Sequence, residues 1–251
     1  MADNKETVGR TFAVVLVLCL VCSIIVAGSA VLLKPRQQAN AAEAKQLNIM
    51  ATAGIETKGA EIATLFDKRV KTLGYNLATN EIVSFDTLGQ LEGAIENSAA
   101  FTVSKEGTEA GVRDQHQVVP VYEILNDSGV TDSYVLDLRG AGLWGMMYAF
   151  LAIEPNGENI RGIYFYKHGE TPGLGGEIQN PRWTARFNGL QAVDASGDVT
   201  IAVRKAAKEG EVDALSGATI TSDGVNKTLK FWLSNEAYGG FLAQLRDGGA
   251  K

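Results

Sequence analysis

Cysteine is almost missing from this chain: two in 251 residues, Cys19 and Cys22, both inside one long apolar run. Everything after that run can form neither an internal disulfide nor a thiolate metal site. A cysteine-free domain is compatible with an oxidising compartment without demonstrating one. Histidine is equally scarce. His116 and His168 stand alone, with no H-E-x-x-H pattern or Cys cluster beside them, which argues against a zinc or non-haem iron centre. Basic charge is short as well, at 23 Lys and Arg against 29 Asp and Glu, a net −6. From Gln37 onward the balance is 19 against 27, a net −8, and the basic residues are scattered. Such a chain lacks the electrostatic footprint of a nucleic-acid binder. No Ser-His-Asp arrangement, paired-carboxylate signature or nucleophile elbow occurs either, so no catalytic residue is assigned.

With 45% hydrophobic and 21% charged residues, the chain reads as globular with length enough for a sizeable core. After a short tail, residues 1–10, come 23 residues without a charge, Thr11 to Leu33. That length crosses a bilayer as a helix. Gly28-Ser29-Ala30 offers small residues to a signal peptidase, but the apolar run continues through Val31, Leu32 and Leu33, favouring a retained anchor. Cys19 and Cys22, at i and i+3, share a helix face. They read as small apolar residues of that helix, with metal ligation beside another subunit as the rival reading. Lys5 and Arg10 before the run are matched by Lys34 and Arg36 after it, so the positive-inside rule gives no orientation. Residues 34–70, rich in Ala, Gln, Glu and Lys, read as a helical linker, ending in an amphipathic stretch from Glu61 to Val70.

The remainder, 71–251, reads as one soluble domain. Strand-like runs at Ile82–Phe85, Gln117–Leu125, Ser133–Leu138, Met146–Ile153, Ile160–Tyr166 and Thr200–Val203 are bounded by Asn, Asp and Gly turns. Strands cluster in the middle and helices at the ends. The expected class is α+β, an antiparallel sheet with flanking helices, behind one N-terminal transmembrane helix. Gly140-Ala-Gly142-Leu143-Trp144-Gly145 spells G-x-G-x-x-G after a strand. It fails the dinucleotide-binding test, because a strand follows instead of a helix and Arg161 to Tyr166 supplies no acidic residue.

The stretch Asp213-Ala-Leu-Ser216-Gly217-Ala218-Thr219 precedes a helical pattern at Val225, Leu229, Trp232 and Leu233. Thr221 or Ser222 is expected as its N-cap, leaving Thr219 just ahead of the helix. Unpaired N–H groups and the dipole favour a phosphate there, Gly217 permits close approach, and a threonine hydroxyl can be esterified. Upstream, His168-Gly-Glu170-Thr171-Pro172-Gly173-Leu174-Gly175 joins a proline of fixed φ to glycines. It lacks the Lys-Ser/Thr ending of a nucleotide P-loop. His116, in a polar run, reads as a surface residue, and His168 as one that orders the loop or donates to a ligand.

The 213–219 stretch is similar to D-x-x-[S/T]-G-A-[T/S], the pattern of bacterial FMN-binding domains whose last hydroxyl residue carries FMN as a phosphoester. The segment 168–175 resembles the loop that embraces the isoalloxazine in those domains, and Gly142 to Gly145 resembles a third segment. Together with the N-terminal helix and the length, these motifs make the chain resemble the C subunits of sodium-translocating NADH:quinone reductases. The resemblance implies FMN on Thr219, with Ser216, Gly217, Ala218, Glu170, Thr171, Gly173, Leu174, Gly175 and Trp144 around it. It further implies an inner-membrane protein with a periplasmic domain, matured by a separate flavin transferase. Electrons would pass from a metal centre in membrane subunits to a partner's FMN and on to ubiquinone, while other subunits move sodium. The G subunit of an Rnf-type complex, with the same flavin motif, is the alternative; a tethered domain without redox function is another.

Overall fold

The computed structural model describes residues 8–248, so all but the last three residues of the N-terminal tail lie outside the described residues. Two compact units are present, one ending at Lys45 and one running from Gln46. In the first, the helix α1, Val8–Thr52, is long and apolar enough to cross a membrane. Leu16, Leu18, Ile24, Ile25 and Leu32 all stay more than half exposed, as the side chains of a lipid-facing helix do. Cys19 and Cys22 are exposed and unbonded.

The second unit begins with the last residues of α1. Ile49 and Met50 are fully buried, and Gly54 at φ +77° stops the helix while Ile55 N–H reaches back to Met50 O at 2.9 Å. This six-to-one bond is how a glycine-ended helix satisfies its last carbonyls. Residues 34–70 are therefore not one helical linker. The helix ends at Thr52, a turn follows, α2 spans Ile62–Arg69, and Val70 already opens a strand. The core takes in the linker's second half because its apolar residues, Ile49, Met50 and Phe66, have a sheet face to cover.

The remaining elements are β1 Val70–Asn76, β2 Ile82–Phe85, α3 Leu88–Asn97, β3 Ala100–Thr102, α4 Lys105–Glu109, β4 Asp114–His116, β5 Val118–Leu125, β6 Thr131–Ala141, β7 Met146–Ile153, β8 Ile160–Lys167, α5 Pro181–Thr184, β9 Val203–Arg204, β10 Val212–Asp213, α6 Thr219–Leu233 and α7 Gly239–Arg246. Six strands form one sheet in the order β2-β1-β5-β6-β7-β8, every neighbour antiparallel. The α+β expectation holds. Thr200–Val203 is the exception among the expected strands: only Val203 is extended and paired, in parallel with Val212.

The sheet is covered on both faces. Leu73, Val121, Leu136, Leu151 and Ile163 pair in register across five strands and point into the larger core, with Val225, Leu229 and Trp232 of α6 and Phe241 of α7. The row one residue over, including Tyr122, Val135 and Ala152, faces Ile49, Met50, Phe66 and Leu91. Alternation puts successive residues on opposite faces, and burial of both explains why the central strands carry so few charges.

Helix α6 lies against β6 at backbone distance. A Cβ at Gly224 would overlap the Ala141 carbonyl, one at Gly140 would overlap the Thr228 hydroxyl, and Trp232 Nε1–H donates to Arg139 O at 2.7 Å. These contacts fix where α6 starts.

Candidate functional site

Gly140 and Ala141 end β6, and Gly142 to Gly145 is the hairpin turn into β7, closed by Gly142 N–H donating to Gly145 O at 2.7 Å. A strand follows, as the rejection of a dinucleotide fold required. At the tip, Leu143 is 48% and Trp144 70% exposed. The second motif leaves β8 and turns into a short 3₁₀ segment at Gly175. Gly173 sits at φ +75° and Leu174, next to it, is 47% exposed. The third begins at Asp213 in β10 and reaches Gly217 at φ +76°, where a side chain would be strained.

Helix α6 starts earlier than expected. Thr219 is its first residue and Ala218 its N-cap, which makes no side-chain capping bond. Thr221 and Ser222 are not caps: both lie in the first turn and are 1% exposed. The Thr221 hydroxyl donates to Glu170 Oε2, and Ser222 Oγ accepts from Leu215 N–H at 3.0 Å. A capping residue needs its side chain outside the turn; here both point into the protein. Of the three hydroxyls, Thr219 alone is exposed. The first intrahelical bond is Ser222 N–H to Ala218 O at 3.0 Å, so the N–H groups before it point out of the helix end.

One carboxylate joins the three motifs. Glu170 is 5% exposed; its Oε1 accepts from Trp144 N–H at 2.9 Å and its Oε2 from Thr221. Its own N–H donates to His168 Nδ1 at 3.1 Å, which makes His168 the loop-ordering residue. Two motif glycines serve this carboxylate and not a ligand: a Cβ at Gly142 would overlap Oε1, and one at Gly175 would stand 2.6 Å from both Oε2 and the Thr221 hydroxyl. Likewise the N–H groups of Leu174 and Gly176 both donate to Thr171 O, at 3.1 and 2.9 Å, and so are not turned to a ring.

Leu143, Trp144, Leu174 and Ile220 border these tied segments with exposed apolar surface, Ile220 at 58%. A Cβ at Gly217 would touch Leu174 Cδ2 at 3.4 Å, so Leu174 packs against the loop two residues ahead of Thr219. An exposed apolar cluster beside an uncapped helix end suits a ligand with a flat apolar body and an anionic tail. FMN has that form, and the residues present fit it. Asp213 is occupied elsewhere, pairing with Arg186 at 3.4 Å and accepting from Ala207 N–H at 3.3 Å.

Other features lie apart from the motifs. A cavity of about 350 Å³ is lined by Ala51 to Gly54, Arg161 to Tyr164 and residues between Gln179 and Asn188, none of them in the three segments. His116 is not simply a surface residue: it is half-buried, with Nδ1 3.2 Å from Ser98 O, and lines a smaller cavity with Asp137 and Tyr166. Tyr166 donates to Asp137 Oδ1 at 2.9 Å, and burial followed by the Asp137 charge pushes its phenol far up. Among the described residues no group of three His, Cys, Asp or Glu could hold a metal ion.

The FMN-binding domain family matches residues 142–234, which takes in all three segments. The C subunit of the Na(+)-translocating NADH-quinone reductase of Pasteurella multocida is 42% identical over 99% of this chain and 98% of its own length. Its namesake from Vibrio vulnificus is 40% identical over 99% of both. The chain belongs to this C-subunit family. Among solved structures, NqrC of Shewanella oneidensis superposes with a TM-score of 0.74 at 32% identity, covering 83% of this chain and 99% of that one. The C subunit from Parabacteroides distasonis gives 0.63 at 28%, over 85% and 96%. Likeness over 99% of the chain puts it with the reductase subunits.

Two residues of the site escape a reading of the sequence. Ile220 adds apolar surface next to Thr219, and Thr221, which by type could be a cap or an alternative acceptor, proves to be the partner of Glu170. A partner 51 positions away leaves no local pattern to read.

Proposed function

We propose that this chain is the electron-transfer C subunit of a sodium-translocating NADH:quinone reductase, with FMN joined to Thr219 through a phosphoester. FMN supplies the storage and transfer of electrons when bound. The chain binds and orients it. The uncapped start of α6 faces the phosphate, Gly217 lets the backbone come close, and Leu143, Trp144, Leu174 and Ile220 give the ring an apolar seat. Ser216, Ala218, Thr171, Gly173 and Gly175 shape the two loops, and Glu170 ties them from beneath.

The observation that carries this reading is the contrast among three neighbouring hydroxyls. Thr219 is exposed, whereas Thr221 and Ser222 are buried and hydrogen-bonded. Of these three, a modifying enzyme reaches only Thr219; Ser216, also exposed, lies in the loop ahead of the helix end. A threonine hydroxyl is a weak nucleophile without an activating base; Asp213, the acid of its own motif, is engaged with Arg186 and Ala207, and Glu170 with Trp144 and Thr221. Attachment therefore falls to a separate flavin transferase.

Helix α1 serves as a single-pass anchor in the bacterial inner membrane, with the folded unit on the periplasmic side. Sodium movement belongs to other subunits, because the run from Thr11 to Leu33 has no charged residue to line an ion path. Held on this chain, FMN would link a metal centre in those subunits to a partner's FMN and ubiquinone.

The test is protein made with its transferase, denatured and run on a gel under ultraviolet light. Wild type and Thr221→Ala keep a flavin-fluorescent band and Thr219→Ala goes dark; mass spectrometry of the peptide from Asp213 to Lys227 locates the adduct. A fluorescent Thr219→Ala band, or an unmodified wild-type peptide, overturns the reading.

A further inference from the structure

A carboxylate held away from water costs several kcal/mol unless charge and hydrogen bonds compensate it. Glu170 has the hydrogen bonds, two donors on its two oxygens, but among the described residues it makes no ion pair. Two glycines are shaped around it, since a Cβ at Gly142 or Gly175 would collide with its oxygens. A neutral glutamine would accept from Trp144 N–H through its carbonyl oxygen and donate its amide N–H to the Thr221 hydroxyl, reversing that bond, so holding the loops together does not by itself require the charge. The position is informative. The carboxylate bonds the backbone of Trp144 and the hydroxyl of Thr221 and fills the space at Gly175, next in sequence to Leu174, so it adjoins the segments proposed to receive the flavin.

We propose that Glu170 is a positioning residue whose buried negative charge also makes the flavin held by this chain harder to reduce. The inference rests on the proposed seating of FMN at Thr219. Each electron added to FMN increases negative charge on the ring, and a fixed negative charge behind a desolvating protein surface opposes it. The two hydrogen bonds fix the carboxylate in place and soften its field without cancelling it. Glu170 forms and breaks no bond in this role; every electron goes to the flavin.

Potentiometric titration of the full-length flavinylated chain tests this, with dithionite as the electron donor and mass spectrometry confirming FMN in every sample. Glu170→Gln removes the charge, keeps the acceptor for Trp144 N–H and bonds the Thr221 hydroxyl in the reverse sense, amide N–H to hydroxyl oxygen. Electron uptake is expected to become about tenfold more favourable, which is about 59 mV upward for a one-electron step. Thr221→Val keeps the charge and removes one of the donors that soften its field, so the potential is expected to fall. Opposite behaviour of the two variants is the signature of charge. Equal upward shifts would mean that loosening of the loops, and not charge, moves the potential, and would overturn the proposal, as would an unchanged potential in Glu170→Gln. If Glu170→Gln fails to fold, as thermal unfolding of the flavin-free chain would reveal, Thr221→Val decides by the sign of its shift: a fall supports the charge, while a rise or no change overturns it. Wild type without FMN on Thr219 would instead sink the functional reading itself, a result distinguishable from a flavinylated Glu170→Gln of unchanged potential.

Discussion

Replacing Thr221 by valine isolates the bond that joins helix α6 to the glycine-rich loop. Thr221 and Glu170 are both buried, and the hydroxyl is one of two donors to that carboxylate. Valine preserves the shape and deletes the donor, so Glu170 Oε2 is left in the interior with an unmet lone pair. Leaving a buried acceptor unsatisfied costs about 1–3 kcal/mol, with charged groups at the upper end, so the expected loss is about 3 kcal/mol. For a chain of this size each kcal/mol moves the melting temperature by about 2–4 °C, giving a fall of about 6–12 °C. Thr221→Ser is the control. It keeps the hydroxyl and gives up one methyl, a loss of about 1 kcal/mol. Thermal unfolding of the flavin-free chain in detergent, followed by near-ultraviolet circular dichroism, reads both. A valine variant no less stable than the serine variant would refute the reasoning, because it would mean that the Glu170 carboxylate does not need this donor.

Other outcomes follow from particular contacts. Tyr122 is fully buried and its hydroxyl has no hydrogen-bond partner, so Tyr122→Phe is expected to leave stability unchanged or raise it by about 1 kcal/mol in denaturant unfolding. Gly224→Ala ordinarily helps a helix by about 1 kcal/mol. Here the new Cβ would overlap the Ala141 carbonyl, so a loss of about 3 kcal/mol is expected instead, together with altered Trp232 fluorescence as α6 lifts from β6. Burial first, and then the charge of Asp137, raises the phenols of Tyr122 and Tyr166 above their usual 10.0, and burial raises Tyr238 likewise. Their contribution to stability is complete below pH 10 and is lost as pH climbs beyond it, because only the unfolded chain releases these protons readily. The tyrosinate absorbance of these three should therefore appear together with unfolding, and a titration of all seven tyrosines without unfolding would contradict the burial argument.

The sheet is legible in the sequence where strands are bounded by turn residues. Ile82–Phe85 and Met146–Ile153 begin and end where the pattern of apolar runs and Gly or Asn turns places them. Val70–Asn76 is hidden because the charged stretch before it reads as continuing helix, and only pairing with β2 and β5 on either side makes it a strand. Thr200–Val203 shows the reverse: its β-branched residues look like a strand, but a bond from Val203 N–H to Asn226 Oδ1 at 3.0 Å and only a two-residue partner leave most of it irregular. Local propensity identifies elements, and tertiary pairing decides which of them are kept.

The site divides along the same line. Glycines at 142, 173, 175 and 217 are all visible in the sequence, and their pattern suggests one common meaning, close approach to a ligand. Gly173 and Gly217 do adopt the left-handed backbone that glycine favours, whereas Gly142 and Gly175 yield their space to a side chain of the protein itself, Glu170. The difference follows from where the carboxylate points, which depends on three segments brought together by the sheet and by α6. The cap at the start of α6 differs from expectation for a related reason. Thr221 and Ser222 are good capping residues by type, yet each is drawn inward, Thr221 by Glu170 and Ser222 by Leu215. That inward pull lets the helix begin at Thr219 and leaves its one free-standing hydroxyl at the surface. Exposure of Thr219 is thus a consequence of burying its neighbours, and the acidic residue that buries one of them belongs to a motif 49 positions upstream of the threonine it leaves accessible.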